Sequence, residues 1–171
     1  MQLTPEEYLH GVYKEWPGDW EGDFDYVDGQ LQRHDWGDYP HSRMHSELLG
    51  WFGQHDRDWH IRVLPSLTLE ITPTRFRVPD LVIFDRSINA ETFTRRLAPL
   101  VVMEVLSPED TMMHVAALDA DYRQMGIRNI WVIDPRQKTG WNCQPSGWLR
   151  TETFALPGTP ITLNLSNLVL A

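Results

Sequence analysis

The chain has 171 residues, 42% of them hydrophobic and 23% charged, which excludes a disordered polypeptide and fits one folded domain over residues 1–171. No apolar run approaches the ~20 residues that span a bilayer, and residues 1–13 carry acids without an apolar core, so neither a membrane span nor a signal peptide is expected. The net charge of −9 argues against a general grip on phosphate backbones, which rests on basic patches. The local basic clusters are Arg75 with Arg77 and Arg95 with Arg96, which a dimer could gather. A single cysteine, Cys143, builds no disulfide framework, so a reducing cytoplasm is the expected location.

Along the chain, Thr4-Pro5-Glu6-Glu7 opens a helix with a hydroxyl cap, a proline at the first position and acids against the helix dipole; this helix is expected to run to about Lys14. A Gly-, Trp- and Asp-rich loop follows from Trp16 to Asp23. Phe24–Val27 and Gln30–Arg33 around Asp28-Gly29 read as a hairpin. Pro40 precedes a second helix, about His41 to Gln54. Strands are expected at His60–Pro65, Leu67–Ile71, Leu81–Phe84 and Pro99–Leu106. Ser107-Pro108-Glu109-Asp110 should start a third helix that ends near Gly126, a residue suited to the left-handed C-terminal cap. Asn129–Asp134 is a short apolar strand, and the remainder reads as an antiparallel meander turning at Gln144-Pro145-Ser146-Gly147. The pattern predicts an α/β (α+β) fold with a mixed sheet flanked by helices.

Two carboxylates stand out. Pro99–Leu106 is apolar on both alternating faces, the mark of a central strand, yet Glu104 lies on the same face as Val102 and Leu106. An isolated charge there is costly unless it is compensated or protonated. Asp80 follows Pro79 at the entrance to the apolar run Leu81–Phe84. Either acid alone has an ordinary reading, Glu104 paired with an arginine and Asp80 ending a turn. Two acids converging from neighbouring strands would hold Mg²⁺ (or Mn²⁺) and leave water positions for attack on a phosphodiester.

The segments Leu3–Tyr8, Phe24–Gly29, His41–Met44, Pro79–Val82, Val102–Pro108 and Tyr122–Pro135, in that order and spacing, resemble the Uma-two family of restriction-endonuclease-like proteins, within the PD-(D/E)XK superfamily. The resemblance covers most of the chain. It implies a restriction-endonuclease-like mixed β-sheet, Asp80 and Glu104 as metal ligands, a metal-dependent hydrolase acting on DNA, and a homodimer. His41 matches a histidine usual at the start of the second helix. There Met44, Leu48, Trp51 and Phe52 form an apolar stripe that should turn His41 and His45 towards the sheet. A zinc site on His41 and His45 lacks a third ligand, so hydrogen-bonded histidines near the core are the expectation.

The sequence departs from the pattern at the lysine. The superfamily position two residues after the second acid is Leu106, and the alternative family position on the following helix is Leu118. Leu118 belongs to an apolar stripe with Thr111, Val115, Tyr122 and Met125. His114 replaces an acid four residues earlier, and Gln30 replaces a glutamate in the hairpin turn. Arg123 should point away from the stripe, leaving His114 as the better local substitute and a candidate general base.

Two readings follow. One is a Mg²⁺-dependent DNA endonuclease with Asp80, Glu104, His41 and His114 at its site; the other is a catalytically degenerate nuclease fold serving as a binding or assembly module. No organic cofactor is expected. Trp16, Trp20, Trp36 and Tyr39 lie in polar or glycine-rich segments, where they could stack on bases or a partner, although folding back over the domain's own core is the commoner outcome.

Overall fold

A computed structural model describes residues 2–34 and 37–169. The first helix is shorter than its pattern predicts. It covers α1 (Pro5–Leu9), with Thr4 and Glu7 forming a reciprocal capping box. Gly11 then adopts φ 69°, which ends the α-helix, and Val12–Glu15 winds on as a 3₁₀ turn. β1 (Phe24–Val27) and β2 (Gln30–Arg33) form the expected hairpin. α2 (Tyr39–Gln54) begins two residues early because the Asp38 side chain caps the N–H of His41 at 3.1 Å.

β3 (Ile61–Pro65), β4 (Leu69–Thr72), β5 (Arg75–Arg77), β6 (Leu81–Asp85) and β7 (Val101–Val105) follow. β5 is absent from the sequence expectation: three residues with two arginines lack an apolar signature. It pairs with β1 and β4, giving a four-stranded sheet ordered β2-β1-β5-β4.

The third helix starts later than its pattern predicts. Ser107–Asp110 closes on itself as a turn, with the Asp110 carboxylate accepting from the Ser107 N–H at 2.7 Å. α3 (Met112–Gln124) then begins at the Thr111 cap. Gly126, at φ 94°, closes it, and the N–H of Ile127 reaches back to the Tyr122 carbonyl at 3.0 Å.

β8 (Ile130–Asp134), β9 (Thr139–Gln144) and β10 (Gly147–Thr151) complete a six-stranded mixed sheet ordered β10-β9-β8-β7-β6-β3. β7 and β8 run parallel through the α3 crossover; the other neighbours are antiparallel. β11 (Thr153–Ala155) and β12 (Thr162–Asn164) make a separate hairpin.

Both faces of the large sheet are covered. Met44, Leu48 and Phe52 of α2 pack with Phe154 and Leu163 of the last hairpin on one face, over Ile83, Met103 and Trp131. Val115, Leu118 and Tyr122 of α3 pack with Leu69 on the other, over Val82, Val102 and Val132. β7 is therefore buried along its whole length, as its unbroken apolar run requires. No helix among the described residues is long and apolar enough to cross a membrane.

A third cluster explains two of the loop tryptophans. Trp16 and Trp20 pack against Tyr13 and Phe24 beside the small sheet, folding back over the protein rather than facing outwards. Tyr39 stays 73% exposed. Trp36 lies outside the described residues.

Candidate active site

Strand register brings the two acids together. β6 and β7 are antiparallel with Leu81 opposite Met103, so Asp80 precedes and Glu104 follows the same rung. Asp80 sits in the irregular step into β6, and its Oδ2 accepts the N–H of Val105 at 2.7 Å. Both acids line one cavity of about 290 Å³ at this end of the sheet, with His34, His41, His114 and Leu118 among its walls.

Glu104 is 6% exposed and faces α3, where the Tyr122 hydroxyl donates to its Oε1. Burial, and then the negative charge of Asp80, hold its pKa well above the usual glutamate value. Burial and the Glu104 charge likewise push the Tyr122 hydroxyl well up. The hydrogen-bond partner of Glu104 is thus a phenol, not the arginine of its ordinary reading.

The α2 histidines face the sheet as their stripe predicts. His41 Nε2 lies 3.4 Å from Asp80 Oδ1, and His45 Nε2 lies 3.1 Å from the Asp80 backbone oxygen. Burial opposes a charged His41, but the hydrogen bond and charge of Asp80 outweigh it and raise its pKa.

His114 lines the same cavity as the two acids. Because α3 starts at Met112, His114 stands in its first turn, 40% exposed, with Asp110 as its acid neighbour at 4.0 Å. It lines the rim of the cavity. Leu118, 4% exposed, lines the wall where an inward lysine would stand. Arg123 turns away and pairs with Asp119 at 3.0 Å.

Sequence reasoning missed the charge network behind the site. Arg77, expected on a basic surface, is 3% exposed and spans Asp25 at 2.8 Å and Asp121 at 2.6 Å. Arg75 pairs with Asp121 and Asp28. Asp25 also accepts from the N–H of Val78 at 2.8 Å and meets His34 Nε2 at 2.8 Å. Burial disfavours a charged His34, yet the Asp25 hydrogen bond and charge prevail, with Glu104 and Asp80 adding, and its pKa rises to about 9. His34 is thus an imidazolium at neutral pH on the wall shared with both acids. One signal was available for Asp25: a carboxylate flanked by Phe24 and Tyr26 in a strand, the same anomaly that exposed Glu104. Nothing comparable marked His34.

The donor set suits a hard divalent cation. Two carboxylates on one cavity match the one or two carboxylates that Mg²⁺ takes alongside water. Among the described residues, no three His, Cys, Asp or Glu side chains are grouped to cage an ion by themselves.

Residues 12–170 match the Uma2 family model, whose description is "Putative restriction endonuclease". The chain belongs to the Uma2 family. Its fold is also that of a solved structure from Anabaena variabilis, described as a "putative nuclease belonging to DUF820". The two share 21% identity over 96% of each chain, with a TM-score of 0.73. A cryo-electron-microscopy structure of the DrdV–DNA complex is more distant: 14% identity, 64% of this chain and 10% of that one, TM-score 0.45. No curated protein matches this Uma2 chain.

Proposed function

We propose that this Uma2 protein is a metal-dependent phosphodiesterase acting on DNA, with Asp80 and Glu104 as its metal ligands. The observation that carries the reading is the convergence of these two acids from adjacent strands on one cavity whose wall includes His34, held by Asp25. A bound Mg²⁺ or Mn²⁺ would supply Lewis-acid polarisation and a more acidic water.

The chain's own residues have separate tasks in this reading. Val105 N–H and His41 fix the two oxygens of Asp80. Tyr122 orients Glu104, whose proton must leave before it can bind a cation. His34, held by Asp25, presents positive charge to the phosphate as the absent lysine would, a preorganised role that costs ~10²–10³ in rate when such a donor is lost. His114 on the rim is the candidate general base.

The test is cleavage of plasmid and single-stranded DNA with Mg²⁺ or Mn²⁺, beside the Asp80→Ala, Glu104→Ala double variant. Metal-dependent cleavage lost in the double variant supports the reading; equal cleavage or none in both sinks it.

One observation favours the alternative, a binding or assembly module on a degenerate nuclease fold. Leu118 packs into the wall where a lysine would stand. Absent cleavage with intact DNA binding would select it. A homodimer, implied by the resemblance, is tested by sedimentation.

A further inference from the structure

The cavity at the acids continues into two others. His34, His41 and Asp80 also line a neighbouring cavity of about 380 Å³ bounded by Ser42, Ser46 and Ser66. Gly22, Asp23 and Val78 are shared in turn with a third, again about 380 Å³, between the α1 segment and the start of β1. Shared lining residues link the three in series, and each is within or close to the range of roughly 300–1,000 Å³ typical of small-ligand sites.

The far compartment gathers more basic side chains than acids on an otherwise acidic protein. Lys14, Arg95 and His10 line it, opposed by the single carboxylate of Asp23. Several arginines elsewhere are neutralised in place: Arg33 by Asp19, Arg43 by Glu47, Arg86 by Asp56, Arg96 by Glu70 and Arg136 by Asp38. Arg75 and Arg77 are consumed by the buried network. Lys14 and Arg95 hold no acid among the described residues; the Lys14 ammonium lies 5.9 Å from the centre of the Tyr13 ring. Both are exposed. Two cations without an internal partner in one compartment leave positive charge for an outside anion, while a net charge of −9 repels polyanions from most other faces.

We infer that Lys14 and Arg95 form a backbone-phosphate subsite, and that a single DNA strand lies along the groove from this subsite to the acids at Asp80 and Glu104. The placement rests on the phosphodiesterase reading for its far end, but the subsite itself needs no catalysis. Compartments of this size, joined end to end, suit successive nucleotides of one strand. The subsite gives a strongly acidic protein a local hold on its substrate: two phosphates neutralised at one end, with the serine hydroxyls of the middle compartment as uncharged hydrogen-bond partners.

The experiment is fluorescence anisotropy of a labelled single-stranded 16-mer with the full chain in EDTA at low salt. The Lys14→Glu, Arg95→Glu variant is compared with Arg57→Glu, Arg128→Glu, which makes the same charge change at exposed arginines outside the groove. The groove variant is expected to bind at least tenfold more weakly than the control, and its salt slope to be shallower by about 1.4, the loss of two phosphate contacts on a single strand. Matching thermal melts establish that both variants fold. Equal weakening in the two variants, or no binding by the parent at low salt, overturns the subsite. Because EDTA removes any cleavage, the two readings separate. Binding through Lys14 and Arg95 without cleavage in Mg²⁺ keeps the subsite and ends the phosphodiesterase reading; cleavage that ignores both residues does the reverse.

Discussion

The carboxylate of Asp80 accepts a hydrogen bond from the backbone N–H of Val105, at 2.7 Å, directly beyond Glu104 on the next strand. That bond ties the entrance of β6 to the exit of β7 and fixes the spacing of the two acids. It also extends the β6–β7 ladder by a side chain where Pro79 precludes a further backbone donor.

Glu104 must ionise to take a cation, and Tyr122 assists by donating to it. Tyr122→Phe removes that donor, so Glu104 should ionise less readily still. Folding stability is expected to fall by about 1–3 kcal/mol, the penalty for an unsatisfied buried acceptor. Mg²⁺ should raise the melting temperature of the parent more as pH rises, and the variant should need a higher pH for the same gain. An unchanged pH profile would place Glu104 outside the cation site.

His34 makes stability depend on alkaline pH. Its folded pKa of about 9 lies above the ordinary 6.5, so its contribution is fully present below pH 6.5 and lost as pH rises through 9. The size is on the order of 2–3 kcal/mol, shared with Asp25 because the same ion pair serves both. Urea midpoints measured from pH 6 to pH 10 should decline for the parent and stay flatter for His34→Gln. Parallel curves would mean that the Asp25 pairing does not hold the charge.

Arg77 bridges Asp25 and Asp121 with almost no exposure. Arg77→Met leaves two buried carboxylates short of a cation and should cost about 3–5 kcal/mol, far more than a surface ion pair. Denaturant unfolding checks it. A loss under 1 kcal/mol would show that the network relaxes into solvent.

Leu118→Lys places an ammonium on the cavity wall beside the acids. The lysine should draw Glu104 towards ionisation and raise metal-dependent nicking of plasmid DNA by about 10²–10³, the range attached to one preorganised donor. Stability should drop by roughly 1–3 kcal/mol for the lost packing. A variant that nicks no faster than its parent would argue that the cavity is no longer built for phosphoryl chemistry.

Much of this protein was legible in its residues because local rules decided it. The Asp28-Gly29 hairpin, the α2 stripe and the buried run through β7 each follow from short-range chemistry. Glu104 and Asp80 betrayed themselves as carboxylates where apolar residues belong. The third helix starts about one turn later than its pattern predicts because Ser107–Asp110 carries capping residues that close a turn instead. Only tertiary structure could decide the partners of charge. Arg77 is indistinguishable in sequence from a surface arginine, and His34 from any loop histidine; their meanings come from Asp121 and Asp25, 44 and 9 residues distant along the chain. Periodicity reports which face a residue takes, within one element. A buried ion pair is set by which elements pack together, and that is a property of the fold as a whole.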